Sequence, residues 1–236
     1  MSAGAVIAAL MFVVESAATA AGSTQEGQTV VSMRFPGALY GTLFWTSRRD
    51  PPYPAQYCEG IHSDVYQGLE DVVVIAEPLE PSARKMLLAT QAADIISDDA
   101  NGVLDWEEHR LVRTARVAPQ GILSIVNHTD GERTLQVFRD GTLVRTVVIP
   151  TRAEAAIRDL PEGVLRVWDA ATKVEGWVYV TPWPSHITSG NCRYSFYVPF
   201  GRYRLRGWHP YGGERTLVVK VRRTTRPPRS DLKFPR

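Results

Sequence analysis

The run Arg193-Tyr-Ser-Phe-Tyr-Val-Pro-Phe-Gly-Arg-Tyr-Arg-Leu-Arg-Gly-Trp-His-Pro210 constrains the fold more than any other part of this chain. Tyr194, Phe196 and Val198 alternate with polar or smaller neighbours, the period-2 pattern of a half-buried strand. Pro199-Phe-Gly-Arg202 supplies turn chemistry, since Pro fixes φ and Gly permits φ > 0. Tyr203 and Leu205 then resume the alternation, which predicts a β-hairpin closing on Trp208-His-Pro210. A further strand is expected at Leu217–Val221. Such a segment places the chain with all-β, sandwich-forming proteins.

The rest reads as a succession of strands. Thr29–Phe35 and Leu39–Trp45 are β-prone runs split by Pro36-Gly37, and the Pro-rich stretch 47–63 reads as a long surface loop. Asp71-Val-Val-Val-Ile-Ala76 is a continuous apolar run of the kind found in a fully buried strand. Ser82–Ile96 carries strong helix formers behind a possible Ser82 cap, so a short helix is expected there. Further strands are expected at 111–117, 121–127, 135–138, 143–149, 163–168 and 177–180, with Arg139-Asp-Gly-Thr142 as a hairpin turn. No 20–50-residue repeat is visible.

Ala5–Val14 is an apolar run followed by the small residues Ala18-Thr-Ala20. It is too short to span a bilayer, which needs ~20 residues, and reads as the core of a signal peptide covering 1–22. The expected location is therefore periplasmic or secreted, with no integral membrane segment in the mature chain. Residues 220–236 hold seven Lys or Arg against Asp231, a local +6 within a total net charge of +2. They read as a basic, Pro-containing tail. Cys58 and Cys192, the two cysteines of the chain, permit one disulfide in an exported protein, or two separate buried thiols.

Four blocks in a common order resemble a known family. They are Leu69-Glu-Asp-Val-Val-Val-Ile-Ala-Glu-Pro78, Leu111–Asn127, Gly176-Trp-Val-Tyr-Val180 and Val198–Pro210. From about Thr29 to Val221 the chain resembles plastocyanin-like bacterial proteins of the methylamine utilisation protein kind. The resemblance implies a cupredoxin-like Greek-key β-sandwich over 23–219, combined with N- and C-terminal strands of transthyretin or carboxypeptidase-regulatory type. Copper-binding members of that family carry Cys-x-x-His-x-x-Met before the third block and a His after the Asn. Thiolate, thioether and imidazole together make the trigonal site that copper needs. Here the loop positions fall on Trp168, Ala171 and Val174, and the remaining His position falls near Arg133 or Thr134. The resemblance thus implies a degenerate copper site, with Trp168 filling the vacated space as core and Ala171 and Val174 making room.

Ser97-Asp-Asp-Ala-Asn-Gly-Val-Leu-Asp-Trp-Glu-Glu108 offers a second metal pattern, with Asp99, Asn101, Gly102, Asp105 and Glu108 at calcium-loop positions. Position one is Ser97 rather than Asp, and the run from Leu111 reads as a strand, so an acidic turn is the preferred reading. His62, His109, His128, His186 and His209 are scattered, and His209 reads as a structural polar residue at a strand end. Ser82-Ala-Arg-Lys85 has no partner motifs, and no nucleophile elbow, phosphate loop or dinucleotide fingerprint is present. Asn127-His-Thr129 is a glycosylation sequon. Trp177, Trp183, Tyr194, Tyr197, Tyr203, Trp208 and Tyr211 cluster late, and an exposed minority of them could form a sugar- or protein-binding face.

The sequence therefore predicts a non-enzymatic, exported binding or scaffolding protein with no cofactor, no catalytic residues and no metal ligands. Its expected partner is an unknown protein or surface ligand, not nucleic acid. The alternative is a metal-binding protein, with copper on unusual ligands or a weak calcium site at 97–108.

Overall fold

The computed structural model describes residues 37–45, 57–62, 67–93, 100–107, 113–189, 192–223 and 229–234. All of them belong to one compact unit, Met33–Arg236. The signal-like segment 1–22, the run Thr29–Phe35, His109, and Ser97, Asp99 and Glu108 of the calcium-like pattern lie outside the described residues. So does the side chain of His62.

The strands in chain order are β1 (Gly37–Trp45), β2 (Tyr57–His62), β3 (Gln67–Leu69), β4 (Val73–Pro78), β5 (Gly102–Trp106), β6 (Thr114–Val117), β7 (Leu123–Asn127), β8 (Arg133–Arg139) and β9 (Thr142–Ile149). They continue with β10 (Glu154–Ile157), β11 (Gly163–Asp169), β12 (Val174–Val180), β13 (Ser185–Ile187), β14 (Arg193–Val198), β15 (Gly201–His209), β16 (Gly213–Val221) and β17 (Leu232–Phe234). Helix α1 (Pro81–Ala93) is the one helix among the described residues. It opens on Pro81, whose fixed φ and missing N–H suit the first helical turn.

These strands form two sandwiches with separate cores. In the first, a sheet ordered β14-β1-β3-β2, with β17 added to β1, faces a sheet ordered β13-β4-β15-β16. Leu39, Leu43, Trp45, Leu69, Val74, Ala76, Tyr203, Leu205 and Phe234 fill it, and Ala83 and Leu87 of α1 join them. In the second, β10-β7-β5 faces β6-β12-β11-β8-β9, around Leu104, Trp106, Ile125, Leu135, Val137, Leu165, Val167 and Val178. Because the chain enters this sandwich at β5 and leaves it at β12, it is a continuous insertion between α1 and β13. The longer strands, β14 and β15 in the first core and β7 and β11 in the second, send alternate residues inward, as the pleat requires.

Strand β4 joins the two. Val74 and Ala76 point into the first core. Val73 and Ile75 face the other way and pack with Tyr179, Val164 and Trp208. Burial on both faces explains why this strand reads as an unbroken apolar run.

Four expectations are corrected. The hairpin expected at 193–209 is a corner between sheets: β14 pairs with β1, whereas β15 pairs with β4 and β16. The Tyr203 hydroxyl donates to the Pro199 carbonyl at 2.8 Å and braces the corner. Alternation and turn residues are the same for a hairpin and for a strand that switches sheets, so the pattern alone does not separate them. The hairpin is instead β15–β16, with nine paired positions.

Second, the stretch 47–63 is not all loop, since Tyr57–His62 is β2. Cys58 lies fully buried there and is disulfide-bonded to Cys192, with a Cα–Cα distance of 5.7 Å, inside the range such bonds allow. The bridge presses on Gly68, where a Cβ would come within 2.7 Å of the Cys192 Sγ. Third, the expected strands do not include β5, which begins at Gly102, the last residue of the acidic run Asp98–Gly102. Fourth, the basic tail is partly structural. Arg229 bridges to Tyr40, β17 pairs in parallel with β1, and Phe234 is fully buried. A three-residue strand bounded by Pro and charge carries too little periodicity to be read beforehand.

Phe234 therefore tests the architecture. Phe234→Ala should lower the unfolding free energy by about 3–5 kcal/mol, as for a large side chain removed from a core. A denaturant midpoint within about 0.5 kcal/mol of wild type, the usual surface result, would return the segment to the status of a tail.

Candidate ligand-binding face

The β11–β12 hairpin decides what becomes of the positions expected to replace copper ligands. Asp169 is 1% exposed. Its Oδ1 accepts the Ala171 and Thr172 backbone N–H groups, and its Oδ2 accepts the Thr172 hydroxyl at 2.8 Å. Lys173 follows at φ 59°, and its N–H closes the turn on the Asp169 carbonyl at 2.8 Å. Asp169 thus builds a tight turn by side-chain-to-backbone bonding.

The turn sets the pleat. Asp169 pairs with Val174 across the hairpin, so both lie on the core side, and Val174 packs against the second core. Trp168, one residue earlier, must point to the opposite face. Ala171 is exposed at the turn. The three positions therefore do not converge, and Trp168 is not core filler. The expectation failed because counting back from Gly176 presupposed a long loop, whereas the strand here continues through Trp168.

Trp168 lies instead on the outer face of the five-stranded sheet, in a groove of about 480 Å³ lined by Gln136, Phe138, Asp140, Gly141, Val164, Arg166, Trp168 and Trp177. Strand register creates it. Trp177, Arg166 and Phe138 stand in one row across β12, β11 and β8, and Glu175, Trp168 and Gln136 in the next. One end is the β8–β9 hairpin, whose Asp140 and Gly141 have φ 48° and 79°. Positive φ at both central residues is what the expected Asp-Gly turn requires.

The Arg166 guanidinium stacks over the Trp168 ring, 4.6 Å from its centroid. Its Nε donates to Glu175 Oε2 at 2.8 Å. The Tyr211 hydroxyl donates to the other Glu175 oxygen at 2.7 Å, and burial, then this hydrogen bond, pushes the phenol up to about 12. Tyr211 belongs to the β15–β16 turn of the first sandwich, and that turn is held by His209. The fully buried His209 ring accepts the Tyr211 and Gly212 backbone N–H groups on Nδ1, at 3.3 and 3.0 Å. His209 is thus structural, as expected. Burial holds its pKa down at about 4.

The other candidates are dispersed. His128 pairs with Asp105 at the surface, 3.1 Å apart, and burial followed by the Arg116 charge lowers His186. Asn101 accepts the Ile122 N–H at 2.9 Å, and β5 buries Leu104 and Trp106 on one face while Asp105 turns away. No group of three or more His, Cys, Asp or Glu able to hold a metal occurs among the described residues. Arg133, near the expected His position, donates to the Thr129 hydroxyl at 2.9 Å and lies 3.6 Å from Asp169. Asn127 of the sequon is buried, its amide donating to the carbonyls of Gly131, Ile149 and Pro150. The groove was missed in sequence because its members come from three strands. Of the late aromatics expected to include a binding minority, Trp177 alone lines it.

No protein-family model and no curated protein matches the chain. Among solved structures, the chain is similar to amicyanin variants. A Cu(I) form is 10% identical over 37% of this chain and 89% of that one, with a TM-score of 0.30. A second Cu(I) form has a TM-score of 0.31 at the same identity and coverage. A third is 12% identical over 38% and 89%, with a TM-score of 0.30. The all-β sandwich assignment stands on the strand pairings of this chain.

Two outcomes follow. Trp168→Ala should change stability by no more than about 1 kcal/mol, the scale of an exposed cation–π contact. Asp169→Ala should cost about 2–3 kcal/mol, because two turn N–H groups and the Thr172 hydroxyl lose a buried charged acceptor. Denaturant melts that reverse this order would put Trp168 back in the core.

The His209 shift gives a pH dependence. Its unfolded imidazole binds a proton near 6.5, and the folded one only near 4. Stability from this group is therefore complete above 6.5 and falls as pH drops through that window, by about 2–3 kcal/mol at pH 4.5. Urea midpoints for wild type and His209→Gln, compared at pH 7 and 4.5, should show the smaller acid loss in the variant. Equal losses would refute the assignment.

Proposed function

We propose that this is a non-enzymatic, exported binding or scaffolding protein that meets its ligand on the outer face of the second sandwich, a cupredoxin-like fold without copper. The observation that carries this is the Arg166–Trp168 stack. A large aromatic and a guanidinium are held half-exposed by Glu175 and Tyr211, where a core or a plain surface would not place them. Aromatic and Arg side chains concentrate binding energy, and side chains ordered in advance lose little entropy on contact. Copper ligation has no support at the expected loop, because Trp168 and Val174 lie on opposite faces of one sheet. Export is supported by the signal-like run Ala5–Val14 and by the Cys58–Cys192 bridge, since such bonds persist in oxidising compartments. No helix among the described residues is long and apolar enough to cross a membrane.

Co-sedimentation of the purified chain with the envelope fraction of the producing cells tests the reading. Wild type should sediment saturably, and Trp168→Ala and Arg166→Ala should bind at least about tenfold less with unchanged thermal melts, the loss expected of an anchor residue. Equal sedimentation of all three proteins removes the groove from any binding role.

A further inference from the structure

Resting on that reading, we propose that the ligand of the groove is a neutral saccharide. Size argues first. About 480 Å³ falls within the range of small-molecule sites, whereas a stable protein partner needs roughly 800 Å² of contact on each side.

Shape argues next. The rows across β12, β11 and β8 form a shallow floor in which Phe138 and the stacked Arg166–Trp168 pair lie side by side. The Phe138 row continues to Leu143 on β9. At a strand spacing of about 4.8 Å, four strands span roughly 14 Å, enough for more than one pyranose ring. The C–H face of a sugar ring is an apolar surface that fits an aromatic floor, while its equatorial hydroxyls project sideways in search of hydrogen bonds.

The polar groups meet that need. Arg166 uses Nε on Glu175, and its terminal N–H groups carry no protein partner among the described residues. The Gln136 amide, able to donate and accept, also carries none among them. Asp140, 89% exposed at the groove mouth, adds acceptors. A paired donor and acceptor at one spot is the complement of a vicinal diol, in which each hydroxyl both gives and receives.

Charge selects the neutral sugar over an acidic one. Arg166 is already paired with Glu175 at 2.8 Å, and Asp140 lies 3.6 Å from Arg139. The groove thus carries no unbalanced cation, and a carboxylated ligand would find one half-neutralised guanidinium beside the Asp140 carboxylate.

The test is calorimetric titration of the purified chain with cellohexaose, maltohexaose, laminarihexaose, chitohexaose and hexagalacturonate. At least one neutral oligosaccharide should bind saturably, weaken at least tenfold in both Trp168→Ala and Gln136→Ala, and change little in about 0.5 M NaCl, where ionic contacts are screened. Binding of hexagalacturonate alone, lost in salt, overturns neutrality. Neutral binding that survives both substitutions overturns the location. If no saccharide binds while Trp168→Ala still abolishes envelope co-sedimentation, the saccharide proposal falls and the binding face stands. If neither assay responds to Trp168→Ala, both fall.

Discussion

Strand β4 has no solvent face. Val72 just before it and its own Val73, Val74, Ile75 and Ala76 are all between 0 and 1% exposed, although a strand in a sandwich normally shows one side to water. Val74 and Ala76 close the first core, while Val73 and Ile75 form the seat on which the second sandwich rests through Tyr179 and Val164. Five apolar side chains buried in sequence stabilise by roughly 1.5–3 kcal/mol each, so this strand is where the two cores share one support. A polar residue at Val73 or Ile75 would leave the first core intact and still part the sandwiches, because period 2 assigns them to the joint alone.

The joint also positions the chemistry. From His209 a polar path leads outward: its ring holds the Tyr211 turn, Tyr211 holds Glu175, Glu175 holds Arg166, and Arg166 lies over Trp168. The first two members belong to one sandwich and the last three to the other. Docking of the sandwiches and ordering of the groove are therefore one event. The path starts from a buried neutral imidazole, so acid weakens the turn from its inner end, as the stability held by His209 falls below pH 6.5.

Sequence reasoning recovered the elements better than their partners. The long strands of the second sandwich, the Asp140-Gly141 turn, the buried run at β4 and the helix formers after Ser82 were legible because each carries its own local signal. Pairing was not. The stretch around Pro199 has the alternation of a hairpin, yet its arms belong to different sheets, and only long-range packing chooses between these outcomes. Short strands such as β13 and β17 take their order from neighbours, β17 through the burial of Leu232 and Phe234 beside Trp45. That the second sandwich is inserted whole into the first is invisible to periodicity, since both halves of the interrupted core alternate in the same way.

The candidate site shows the same division. That Trp168, Ala171 and Val174 cannot ligate copper is plain from residue type, but where Trp168 points depends on how many residues the following turn consumes. Asp169 decides it. By accepting three hydrogen bonds within the next three residues, it ends the strand in a tight turn and fixes Val174 opposite itself. With that pairing set, the alternation of the pleat leaves no freedom: Leu165, Val167 and Asp169 go in, and Val164, Arg166 and Trp168 go out. A loop longer by a few residues could carry a side chain over the sheet end toward a metal. The short one spends the same positions on an ordered outer face, so the turn that removes a route to ligation is what presents the groove.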